Sequence, residues 1–155
     1  MIRRTCIVGP MALALLSCSA PHQRPADIIV SNGWTREIAP GQSAAAVYLI
    51  IANKGEGSDR LLNVESALGE ASLHSTSSAE GVARMRPLKD GVEIAPGSIV
   101  ELRPGGTHIM LTGIQRRIAA GQSIELTLSF ERSGKRPITV PVVSAGADAH
   151  SGMSM

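Results

Sequence analysis

Ile124-Glu125-Leu126-Thr127-Leu128-Ser129-Phe130-Glu131 alternates apolar and polar residues without a break. Successive side chains of a β-strand point to opposite faces, so this stretch makes a strand with one buried face and one wet face. On either side the chain repeats the theme in short β-branched runs. The candidate strands are Ile28 to Trp34, Ala45 to Asn53, Leu61 to Ser66, Glu70 to His74, Ala83 to Leu88, Ser98 to Arg103, His108 to Gly113, Ser123 to Glu131 and Ile138 to Val143. Turn signals separate them: Ala39-Pro40-Gly41, Asn53-Lys54-Gly55, Lys89-Asp90-Gly91, Pro96-Gly97, Pro104-Gly105-Gly106, Ala120-Gly121 and Ser133-Gly134. No segment sustains a helical period. Many short strands at near-regular spacing predict an all-β sandwich or barrel in a single domain.

Composition narrows the function. The 155 residues are 43% apolar and 18% charged, enough to bury a core. Only Trp34, Tyr48 and Phe130 are aromatic, too few for the stacking platforms that bind single-stranded nucleic acid. Arg3 and Arg4 belong to a leader, and without them 13 basic residues balance 13 acidic ones. No basic footprint for a polyanion remains, which argues against nucleic acid.

Residues 1–17 read as a signal peptide. Arg3 and Arg4 form its positive region, and Ile7 to Leu16 form an apolar run about half the length needed to span a bilayer. Leu15-Leu16-Ser17-Cys18 resembles a bacterial lipobox, with cleavage before Cys18 and lipid attached to it. The competing readings are cleavage after Ala20, disfavoured by Pro21, and Cys18 as an ordinary small residue of the leader. Residues 18–26 are then a tether, in which His22 is solvated, 27–143 the domain, and 144–155 a flexible tail. The other cysteine, Cys6, is in the leader. The domain therefore has no disulfide, thiolate nucleophile or cysteine-based zinc site.

Enzyme signatures are missing: there is no G-x-S-x-G, P-loop, G-x-G-x-x-G or H-E-x-x-H. No catalysed reaction is expected. What stands out is the placement of histidine and methionine. The domain holds His74, Met85, His108 and Met110, all between positions 74 and 110. His108 and Met110, two apart on a predicted strand, share a face. Imidazole with thioether suits Cu(I) far better than Mg²⁺ or Ca²⁺. Taken singly, each residue has an ordinary explanation, since methionine fills core gaps and most lone histidines are structural. The tail adds His150, Met153 and Met155, the same ligand types, as a possible secondary metal site. Trp34 is expected in the core, the more common place for a tryptophan, in preference to packing near the candidate site.

From Val30 to about Val142 the chain resembles the PCu(A)C family of periplasmic copper chaperones. The resemblance is carried by Ser31-Asn32-Gly33-Trp34, Ala46-Val47-Tyr48 running to Asn53, Asp59-Arg60-Leu61, Leu73-His74, Val82-Ala83-Arg84-Met85-Arg86-Pro87 and Leu102 to Leu111. Within the last lies Pro104-Gly105-Gly106-Thr107-His108-Ile109-Met110, and the steps from 74 to 85, 108 and 110 follow the family's pattern. The resemblance implies a cupredoxin-like Greek-key β-sandwich holding Cu(I) through His74, Met85, His108 and Met110. It implies delivery toward the CuA-bearing subunit of cytochrome oxidase alongside Sco-type thiol proteins, and a tail similar to extensions that hold a second copper, often Cu(II). Members often carry extra methionines just after the first histidine and two before the central methionine. Here those places hold Ser75, Thr76 and Ala83, so auxiliary ligands are not expected.

The expected protein is a periplasmic, lipid-anchored copper chaperone. A blue-copper electron carrier would need a cysteine thiolate in the domain. A copper sequestration or resistance lipoprotein would use the same ligands, and a non-metal β-sandwich scaffold would bind no copper.

Overall fold

The computed structural model describes residues 25–79 and 81–146. These residues contain no helix and ten strands: β1 (Ile28–Arg36), β2 (Ala44–Asn53), β3 (Asp59–Ser66), β4 (Glu70–Ala79), β5 (Val82–Pro87), β6 (Val92–Ile94), β7 (Ile99–Leu102), β8 (Thr107–Thr112), β9 (Ser123–Phe130) and β10 (Gly134–Val143). They form one sheet in the order β5-β4-β8-β2-β1-β10-β9-β3-β6, with β7 pairing beside β8 on β2. Every named pairing is antiparallel except β1 with β10, where Thr35 and Arg36 align with Val142 and Val143. The sheet is the all-β, cupredoxin-like fold that the alternation and the resemblance implied.

The alternation in β9 is realised residue by residue. Ile124, Leu126, Leu128 and Phe130 are buried, while Glu125, Thr127 and Ser129 lie on the other face. They join Val47, Leu49 and Ile51 of β2, Ile109 and Leu111 of β8, Leu61 of β3 and Val140 of β10 in one core. Both halves of the sheet thus bury their inner faces against each other. Removing each such side chain from water is worth about 1.5–3 kcal/mol.

Two strands, β4 and β10, run well past their expected boundaries, and β6 was not among the expected strands. β6 has three residues, too short to show a period. β4 runs five residues past His74 through a Ser/Thr stretch, paired to β5 on one side and for part of its length to β8 on the other. β10 starts at Gly134, although Lys135-Arg136-Pro137 reads as turn sequence. Pro137, which has no N–H to donate, is tolerated because β10 meets β1 only at its far end, leaving the side of β10 away from β9 unpaired at this position.

The expected core position of Trp34 is corrected. Ile28 and Val30 align with Asn53 and Ile51, which face inward, and simple alternation would carry Trp34 inward as well. The register instead slips between Ser31 and Trp34, where Asn32 takes φ 51°. One extra residue in a strand turns every later side chain over. Thr35 therefore goes inward with no exposure, and Trp34, half-buried, lies opposite Tyr48 on the outer face.

Asn53, 1% exposed, closes the end of β2. Its Oδ1 accepts from the amides of Asp27 (3.1 Å) and Gly55 (3.0 Å), and its Nδ2 donates to the carbonyls of Gly57 (2.7 Å) and Ile94 (3.3 Å). Every polar capacity is met. Asn53→Asp keeps the shape but turns two donors into acceptors facing carbonyls. It is expected to lower stability by about 3 kcal/mol in urea denaturation, the scale of two buried groups losing partners.

Candidate metal centre

β4 and β8 pair so that His74 lies directly opposite His108 and Ser72 opposite Met110. β5 adds Met85 opposite Thr76, two residues along β4 from His74. Residues directly opposite in an antiparallel pair share a face, as do residues two apart on one strand. All four sequence-predicted residues therefore rise from one face of β5-β4-β8. It is the outer face, because the alternate residues Leu73, Ile109 and Leu111 are buried in the core. The two imidazole rings are 6.1 Å apart, centroid to centroid, and inclined by 29°. A single ion bound to one nitrogen of each ring, at about 2 Å per bond, can span that gap.

The ring of His108 is set by the turn before it. β7 and β8 lie end to end along β2, on Leu49–Ala52 and Ala44–Val47, and the chain loops out between them. Gly106 N–H donates to the Arg103 carbonyl at 3.1 Å. Pro104 stands second in this turn and Gly105, with φ 73°, third, a type II pattern in which only glycine sits without strain. The Gly106 carbonyl then accepts from Thr76 N–H at 3.1 Å and from His108 Nδ1 at 3.0 Å. A carbonyl can only accept, so Nδ1 carries the hydrogen, and in the neutral ring Nε2 keeps its lone pair. His108 is 4% exposed.

His74 is held differently. Its Nε2 lies 3.0 Å from Ser72 Oγ, and its buried Nδ1 has no partner among the described residues. A buried nitrogen without a partner costs free energy that a bound ion would recover. Among the described residues, no three His, Cys, Asp or Glu side chains gather into a metal cluster. The donors on this face are two imidazoles and two thioethers, and that set fits a soft cation. Met85 is 48% exposed on the edge strand; Met110 is half-buried.

Trp34 and Tyr48 extend the face. Their rings are 4.6 Å apart, and Tyr48 stands 6.3 Å from the His108 ring. Burial pushes the Tyr48 phenol above its ordinary value, with Arg36 pulling the other way, so the phenol beside His108 is neutral. The residue reading did not single out Ser72 or the Gly106 carbonyl. Ser72 carried a signal, since a hydroxyl two residues from a histidine on a strand shares its face. The carbonyl carried none, because any residue supplies one. Cys18, His150, Met153 and Met155 lie outside the described residues.

By class, this is a cupredoxin-like β-sandwich of the PCuAC type. The "Copper-bound PCuAC domain from PmoF2" superposes with a TM-score of 0.65 at 27% identity, over 79% of this chain and 98% of that one. The apo PmoF2 PCuAC domain gives 0.64 at 28% identity, over 81% and 98%. Residues 28–142 match the family model described as "Putative lipoprotein LpqE-like", and the chain belongs to that LpqE-like family. The "Putative lipoprotein Lxx21020" of Leifsonia xyli is 32% identical over 148 residues, covering 90% of this chain and 88% of its own length.

Proposed function

We propose that this chain is a copper metallochaperone that holds Cu(I) through His74, Met85, His108 and Met110 and passes it toward the CuA centre of cytochrome oxidase. The observation that carries the reading is the register that gathers two imidazoles and two thioethers on one outer face, with the His74 Nδ1 buried and unpartnered. The copper bound by the PmoF2 domain supports the choice of metal.

In this reading no reaction is catalysed. The imidazoles, supported by Ser72 and Gly106, hold their nitrogens in place before the cargo arrives. Thioethers need no deprotonation, so uptake at sulfur releases no proton. Met85, on the exposed edge, is the ligand that an incoming thiolate displaces first, and buried His108 lets go last. The acceptors proposed are the CuA-bearing oxidase subunit and Sco-type thiol proteins. Cys18 carries a lipid that tethers the domain on the periplasmic side of a membrane, a reading supported by the lipoprotein names within the family. His150, Met153 and Met155 form a secondary site, open to Cu(II).

Anaerobic titration against a chromophoric Cu(I) chelator tests this, on the chain from residue 19 and on one ending at Val143. One tight Cu(I) that survives removal of the tail is expected. Binding lost with the tail would make the protein a tail-borne scavenger, and no binding by either would leave a scaffold. Copper passing from the loaded chain to an apo CuA subunit separates delivery from storage.

A further inference from the structure

We infer that Ser72 is a positioning residue of the copper site: its hydroxyl accepts the Nε2–H of His74 and thereby presents the Nδ1 lone pair to the metal. The inference rests on the copper reading above and concerns how one ligand is aimed.

The two imidazoles face each other across one cross-strand pair but are anchored through opposite nitrogens. His108 is tied at Nδ1 to the Gly106 carbonyl and is left with Nε2. His74 is tied at Nε2 to Ser72 Oγ and is left with Nδ1, buried and without a partner. A neutral imidazole has one donor and one acceptor nitrogen. If Ser72 donated to Nε2, the hydrogen of His74 would sit on Nδ1, buried with nothing to accept it and closed to a metal. If Ser72 accepts, Nδ1 offers a lone pair that only an incoming cation completes. The strand register fixes the geometry, because Ser72 is two residues from His74 on the same face and directly opposite Met110. Ser72 thus stands behind one imidazole ligand and beside one thioether ligand.

The chemistry of the support matters as well. Partners behind a metal-bound histidine fix its tautomer and raise its basicity, and a carboxylate does so most strongly. A hydroxyl orients the ring without adding negative charge to the site. That suits a cargo that must leave.

Long-range proton–nitrogen spectra of the ¹⁵N-labelled, metal-free chain, recorded in mildly alkaline solution, show which ring nitrogen bears hydrogen. The expected result is Nε2–H on His74 and Nδ1–H on His108. Ser72→Ala is expected to mix the tautomers of His74 alone and to weaken Cu(I) binding about tenfold to hundredfold. Ser72→Thr, which keeps the hydroxyl, restores both. Nδ1–H on His74 in the wild-type chain overturns the inference, even if Ser72→Ala does not fold. So does unchanged Cu(I) affinity in a folded Ser72→Ala. A wild-type chain that binds no Cu(I) overturns the copper reading itself.

Discussion

Met85→Leu is expected to weaken Cu(I) binding at least about a hundredfold, the upper range for losing even a supporting residue of a metal site, and to leave thermal unfolding unchanged. Leucine keeps the apolar bulk and removes only the sulfur, and such volume-conserving exchanges are the best tolerated. The position makes the separation clean. Met85 is 48% exposed, and every residue of β5 is exposed, so the core does not depend on it. His108→Ala is expected to lose as much copper affinity, but with a stability cost of at least about 1 kcal/mol, because the Nδ1–H bond to Gly106 goes with the ring and the buried ring leaves a cavity. Competition titration with a Cu(I) chelator measures the first effect, and calorimetry the second. Unchanged affinity in both variants would remove these residues from the site. The copper reading would then rest on the tail alone.

The four residues of the candidate site were legible, as was the Pro104-Gly105-Gly106 turn before His108; their other supports were not, for a physical reason. A metal site advertises itself in sequence through rare residue types. The domain has two histidines and two methionines, and their spacing across strand-forming runs was enough to single them out. What positions them is common: a serine, a carbonyl, the pairing of β4 with β8. That pairing, which sets His74 opposite His108, is a long-range choice made by the whole sheet. β9 could be read directly because it has one wet face, whereas β6 is too short and the start of β10 too polar to show a period. Trp34 shows the limit most clearly. Its side was decided by one extra residue at Asn32, next to Gly33, and that slip moves the only tryptophan from the expected core to the face that carries His74, Met85, His108 and Met110.

Asp59→Ala is expected to cost about 3 kcal/mol, since hydrogen bonds to a charged group are worth about 1.5–3 kcal/mol, and so to lower the melting temperature by roughly 10 °C. Asp59 is 2% exposed at the start of β3. Its Oδ1 accepts from the amides of Arg60 at 2.8 Å and Arg132 at 2.9 Å, and its Oδ2 from that of Ser133 at 3.0 Å. One carboxylate thus pins β3 to the turn joining β9 and β10. Burial by itself would raise its pKa, but the Ser133 side chain and the three amides outweigh burial and hold it below the ordinary carboxylate value. The sign of the pH dependence follows. A carboxyl whose pKa is lower folded than unfolded contributes its full stabilisation above the unfolded value, about pH 4, and loses it as pH falls through the folded one. Asp59→Asn removes that dependence, and its amide sets a donor against a backbone N–H. The wild-type chain is therefore expected to lose stability steeply below about pH 4, while Asp59→Asn starts lower and falls less. Urea denaturation at a series of pH values measures both curves. Parallel curves would mean that Asp59 is not among the groups whose protonation unfolds the sheet. Cu(I) affinity of the folded variant should match wild type, because Asp59 belongs to the β10-β9-β3-β6 half of the sheet and His74, Met85, His108 and Met110 to the other.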